Sequence, residues 1–170
     1  MVVQLIHRKE AIKEHGSFFD ALEECELDEL ANGVFICGLP EYDGYMPNPQ
    51  ELEMLTNWWS DDEFVNESPF VYIEDIDVSK PSRGKGIGCW AYTHLLLHPR
   101  FKGAKYIITR PAYGHPQVPE AKRSVAFHRK VGFRRIGSSM YFAYAKDPHY
   151  PSRLVPPSKD QPFKAQVTYF

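Results

Sequence analysis

VYIEDIDVSKPSRGKGIGCWAYTHLLLH, residues 71–98, is the stretch whose reading decides the fold. Val71, Tyr72, Ile73, Ile76 and Val78 supply β-branched and aromatic side chains, so the stretch opens as a strand. Alternation along a strand puts Tyr72, Glu74, Ile76 and Val78 on one face and Ile73, Asp75 and Asp77 on the other. Lys80-Pro81-Ser82 ends it, because proline fixes φ and pushes the residue before it out of the helical region. Arg83-Gly84-Lys85-Gly86-Ile87-Gly88 follows, and then a helical run from about Ile87 to His98. Glycines between a strand and a helix let the backbone come close to a ligand and aim its N–H groups at it. Those amides, the positive end of the helix dipole, Arg83 and Lys85 together suit a phosphate. The same residues also build a plain strand–helix turn with solvated charges.

The kind of phosphate ligand follows from the spacing. Gly84-Lys85 is followed by Gly86 rather than Ser or Thr, so this is not a P-loop. Cys89 stands where a dinucleotide fingerprint needs its third glycine. The segment resembles instead the acyl-CoA loop of the GNAT superfamily of N-acyltransferases, R/Q-x-x-G-x-G/A, met by Arg83, Gly86 and Gly88. A second segment, Ala121-Lys-Arg-Ser124-Val-Ala-Phe127-His128-Arg-Lys-Val-Gly132-Phe133, resembles the family's N-x-x-A-x-x-F-Y-x-x-x-G-F run. The resemblance covers about residues 70–146. It implies an α/β (α+β) fold: a mixed central sheet with splayed parallel strands and flanking helices. It also implies that Arg83, Gly84, Lys85, Gly86, Ile87 and Gly88 hold the CoA pyrophosphate. Ile76 and Val78 on the strand would hold pantetheine, with Ser124 and Phe127 beside it. Around Tyr72-Ile-Glu-Asp-Ile-Asp-Val78 the chain is similar to polyamine (spermidine/spermine) acetyltransferases, whose Glu is the proposed base.

A thioester is already activated, so the protein has three tasks. It must deprotonate an ammonium, stabilise an oxyanion and protonate the leaving thiolate. Glu74 is the expected base, with Tyr72 and Asp75 lining the acceptor. His128 stands in register with the tyrosine that many of these enzymes place near the CoA sulfur, and an imidazole there can donate a proton; it can equally pack the helix. Ala121 replaces the family's Asn, which removes one hydrogen bond to CoA. Tyr141 and Tyr144 are spare acids.

The rest of the chain is read around this core. Val2–His7 is expected as a strand, and Glu10–Glu26 as a helix with Gly16 its weak point. A short strand is expected at 33–38, a helix at 49–59 and a solvated acidic turn at 61–63. Ala104–Thr109 reads as a strand stopped by Pro111, and Glu120–Val131 as a helix ended by Gly132. Phe133–Ile136 and Ser139–Ala145 read as a closing pair of strands. The expected domain spans 1–147, with the acceptor side in about 1–70. Residues 148–170 are expected as a proline-rich extended tail, packed on the domain or trailing it, whose last residues, 166–170, suit a strand.

Composition narrows the function classes. From Glu14 to Ser79 there is no Lys or Arg, yet that segment holds 18 of the 22 acids, while 17 of the 20 basic residues lie from Lys80 onward. The basic half suits an anionic nucleotide, and the acidic half can attract a cationic acceptor through its long-range field. Three widely spaced cysteines argue for a reducing compartment, and no secretory or membrane-spanning run is read, so a cytoplasmic protein is expected. No metal is expected. His94 and His98 share a helix face but have no Glu beside them, and Cys89 is read as packing. The Arg129, Lys130, Arg134 and Arg135 cluster lacks any nucleic-acid motif, and CoA's 3′-phosphate or solvation accounts for it. The expected activity is transfer of acetyl from acetyl-CoA to a small cationic primary amine, by a monomer or homodimer. A protein or peptide acceptor, or a catalytically weak acyl-CoA-binding domain, are the alternatives.

Overall fold

The computed structural model describes residues 2–16, 18–25, 27, 30, 69–111, 118–137 and 139–162. The expected elements at 33–38, 49–59, 61–63 and 166–170 lie outside the described residues. Five strands make one mixed sheet: β1 (Val2–Ile6), β2 (Phe70–Asp75), β3 (Tyr106–Thr109), β4 (Arg134–Arg135) and β5 (Phe142–Ala145). Their order is β1-β2-β3-β5-β4. The helices are α1 (Arg8–His15), α2 (Phe18–Glu24), α3 (Ile87–Leu97), α4 (Pro119–Val131) and α5 (Pro151–Leu154). No helix among the described residues is long and apolar enough to cross a membrane.

β2 and β3 run parallel, a pairing that needs a crossover, and α3 lies in that crossover. The other three pairings are antiparallel. Strand alternation divides the core into two clusters. Phe70, Tyr72, Tyr106 and Ile108 pack with Leu22, Leu27 and Tyr150. Val71, Ile73, Ile107 and Phe142 pack with Tyr92, Leu95 and Phe133, joined by Val125 and Phe127 of α4. The sheet therefore carries α2 on one face and α3 with α4 on the other.

Several boundaries differ from the sequence reading, each for a local reason. The helix expected over Glu10–Glu26 is two helices, divided at Gly16, whose φ is +83°. Cys25, just past the second of them, is exposed. β2 stops at Asp75 rather than continuing to Val78. Its partner β3 ends at Thr109, just before Arg110-Pro111, and proline cannot donate to a ladder. A register shift against β1 between Ile73 and Asp75 breaks the alternation, and Ile76 packs against the α3–α4 cluster, not on the Tyr72 face. α4 ends as expected at Gly132, with φ +107° and its N–H returned to the carbonyls of Arg129 and His128.

The segment after 147 is not simply extended. Tyr150 and Ser152 are buried, α5 forms, and a 3-10 turn covers Pro157–Lys159. Arginines hold this segment as a strap. Arg134 Nε donates to the Val155 carbonyl at 2.7 Å, Arg135 Nε to the Gln161 carbonyl at 3.1 Å, and Arg129 Nη2 to the same Gln161 carbonyl at 2.9 Å. Arg129 Nε meets Asp160 Oδ2 at 2.6 Å. Arg134 and Arg135, read from the sequence as phosphate ligands or solvated charges, are in fact buried. Their partners are carbonyls, including those at the negative end of α4.

Candidate functional site

The glycine loop is built by two conformations and one close contact. A 3-10 turn at Lys80–Ser82 delivers the chain to Arg83. Gly84 and Gly86 then adopt φ of +78° and +80°, which side chains with a Cβ rarely reach. Gly86 is the N-cap of α3, no side chain caps the helix, and the first returning bond is Trp90 N–H to the Gly86 carbonyl at 3.0 Å. The amides at 87–89 thus precede the intrahelical ladder and point out of the helix start. Gly88 serves differently: a Cβ there would lie 2.8 Å from Phe127 Cζ, so its role is the close packing of α3 on α4.

Around the loop, Lys85 and Ile87 are exposed and Val78 and Ile76 half-buried. Arg83 is tied back to the end of β2. Its Nε donates to the Val78 carbonyl at 2.7 Å and its Nη2 meets Asp77 Oδ1 at 3.0 Å. Asp77 thus shares the guanidinium that was read from the sequence as a phosphate ligand. Ser124, expected beside CoA, gives its hydroxyl to the Pro111 carbonyl. Phe127 is half-buried among Gly88, Tyr92 and His128.

On β2, Glu74 is half-buried, Asp75 is exposed and Tyr72 lies in the core beside Phe70. β2 and β3 form their last residue pair at Ile73 and Thr109, so Glu74 stands just beyond it. Thr109 Oγ1 donates to the Ile73 carbonyl at 3.1 Å, satisfying a β2 carbonyl as the pairing ends.

His128 does not stand where an acid could reach a ligand. It is 2% exposed, and the rings of Tyr92, Phe127 and Phe133 surround it at 5.3–5.5 Å between centroids. Its Nδ1 donates to the Ser124 carbonyl at 2.8 Å, which fixes the tautomer and leaves Nε2 to accept from the Tyr92 hydroxyl at 2.6 Å. Burial lowers its pKa from 6.5 to about 4, against a smaller opposing effect of the Ser124 carbonyl. The imidazole is neutral at pH 7 and both nitrogens are engaged. The role of general acid expected for His128 is therefore replaced by helix packing. Burial likewise drives the Tyr92 phenol far above its ordinary range. Tyr92 and Thr109 were not picked out from the sequence. The only trace was that Tyr92 falls one turn from Gly88 and three residues before Leu95.

This histidine makes stability depend on pH. Its folded pKa lies below its unfolded one, so the unfolded chain takes up the proton first. The stability that this group contributes is full above about pH 6.5 and is lost as pH falls toward 4, by on the order of 3 kcal/mol. In urea titrations across pH 7.5 to 4.5, His128→Gln should flatten that part of the slope. An unchanged slope would place the acid sensitivity elsewhere.

His94 Nδ1 donates to the Trp90 carbonyl at 2.9 Å and its ring stacks on Trp90 at 4.1 Å, while His98 Nδ1 accepts from Arg100 N–H. Among the described residues no group of three or more His, Cys, Asp or Glu is placed to hold a metal ion. Cys89 is exposed rather than packed. Comparison with known proteins finds no matching family model, no matching curated protein and no matching solved structure.

Proposed function

We propose that this chain is a GNAT-type N-acyltransferase that moves an acetyl group from acetyl-CoA to a primary amine, with a small cationic amine as acceptor. The observation that carries the reading is the loop between β2 and α3. Its two left-handed glycines turn the chain into a helix start that no side chain caps, beside Arg83 and Lys85. That arrangement suits a pyrophosphate. The order of elements supports it as well: a strand, α3, a parallel strand, α4 and two closing antiparallel strands, as the resemblance implies.

In this reading Glu74 takes the proton from the ammonium, and the free amine attacks the thioester carbon. The C–N bond forms, the C–S bond breaks and the thiolate leaves. With His128 committed to the core, the thiolate takes up the second proton that the attacking nitrogen sheds, passed directly or through water. A second reading, acyl-CoA binding without turnover, draws on the same loss of His128 as an acid.

Calorimetry with acetyl-CoA, followed by an acetylation assay over diamines, neutral amines and peptides, separates them. The wild type should bind, and Arg83→Glu should weaken binding by about 1–3 kcal/mol through the loss of charged hydrogen bonds. Binding with no product from any acceptor would leave the second reading standing, and no binding at all would defeat both.

A further inference from the structure

The buried polar contact between α3 and α4 needs an explanation that core packing does not supply. Tyr92 and His128 are each 2% exposed, inside a cluster of aromatic rings where two phenylalanines would fill the space. A buried hydrogen bond adds little net stability, and leaving either partner alone is costly. What a satisfied buried pair does provide is one defined arrangement of the elements it joins.

The arrangement it defines concerns the glycine loop. Gly88 and Tyr92 are one helical turn apart and share a face of α3. Gly88 meets Phe127 and Tyr92 meets His128, neighbouring residues of α4. α3 is therefore held at two successive turns, by a contact that admits no Cβ and by a 2.6 Å hydrogen bond. His128 is held in turn by the Ser124 carbonyl of its own helix. A rotation of α3 about its axis would break the directional bond and drive Gly88 off the Phe127 ring. The same rotation would re-aim the amides at 87–89, which lie in the first turn of that helix.

We infer that Tyr92 and His128 are positioning residues: their hydrogen bond fixes the rotation of α3 and so the direction of the amides at 87–89 that would receive the CoA pyrophosphate. The inference rests on the acyl-CoA reading for its ligand but not for its geometry. It predicts that the hydroxyl of Tyr92, which touches no ligand, controls affinity at the loop.

The test compares the wild type with Tyr92→Phe, His128→Gln and Ile108→Val. Ile108 is a core residue on the opposite sheet face and controls for lost stability. Two readouts are taken: kcat and KM for acetyl-CoA, and amide hydrogen exchange in the first hydrogen-bonded turn of α3, residues 90–93, in the free protein. Tyr92→Phe should raise KM roughly tenfold, more than it lowers kcat, and should speed exchange at residues 90–93. His128→Gln, whose side chain can still accept from Tyr92, should keep KM closer to wild type. Ile108→Val should leave both readouts in place. Exchange and KM unmoved in folded Tyr92→Phe would overturn the inference, as would an equal shift in Ile108→Val. If acetyl-CoA does not bind the wild type while Tyr92→Phe still speeds exchange, the acyl-CoA reading fails and the positioning stands.

Discussion

Glu74→Gln should lower kcat/KM for amine acetylation by about 10²–10⁴-fold, the usual reach of general acid–base catalysis, and leave acetyl-CoA affinity as it is. The reason lies in where β2 loses its pairing with β3 while still paired with β1. Ile73 pairs with Thr109, the last residue of β3, and the next side chain along β2 is Glu74. Against β1, Val3 pairs with Ile73 and Val2 with Asp75, so Glu74 is the extra residue of a bulge, a device that re-aims a side chain. A carboxylate there can take a proton from an acceptor that reaches the end of the β2–β3 ladder, and β2 is the strand from which the chain runs on to the proposed nucleotide loop. It is half-buried, which Asp75 is not. Asp75 is exposed and sits opposite Val2 in the β1 ladder. Asp75→Asn is therefore expected to be nearly silent. Steady-state kinetics of both variants against one diamine decide the matter. A deleterious Asp75→Asn with a silent Glu74→Gln would make Asp75 the base instead.

The parts legible in the sequence were those written in local punctuation. The start of α3 after Gly86 and the end of α4 at Gly132 are backbone requirements that glycine meets within a few residues, and both lie where the sequence places them. The stop of β3 was legible for the same reason, from Pro111. The end of β2 was not, because nothing in Ile76-Asp77-Val78 forbids a strand; what ends the β2–β3 ladder is a proline on its neighbour. His128 was ambiguous because its fate is set by Tyr92, thirty-six positions earlier. Local spacing places an imidazole on a helix face but does not say what the face meets. Arg134 and Arg135 were misread on the same ground. Two adjacent arginines look solvated until the carbonyls of Val155 and Gln161 come back to cover them.

That covering segment hangs on one carboxylate, and its loss is the largest stability effect we expect. Asp160 has a side chain with 0% exposure, and it accepts from Arg129 Nε at 2.6 Å and from the Arg135 backbone N–H at 2.9 Å. Its negative charge sits among arginines: Arg134, whose guanidinium pKa is lowered chiefly by burial, is raised by Asp160 and lowered further by Arg153 and Arg129. Removing the carboxylate leaves a buried N–H without its acceptor and several guanidinium groups with less compensating charge. Breaking one side of such a buried pair costs about 3–5 kcal/mol, a large share of the roughly 5–15 kcal/mol that holds a domain folded. Asp160→Ala should lose that much in urea unfolding. Asp160→Asn should fall between it and the wild type, because its amide oxygen can still accept from Arg135 N–H without supplying charge. The double variant Arg129→Met with Asp160→Leu should recover part of the loss, since it removes both charges together. Should Asp160→Ala cost under about 1 kcal/mol, in the range of a surface pair, the strap would be held by its carbonyl bonds and by Tyr150, not by its one acid.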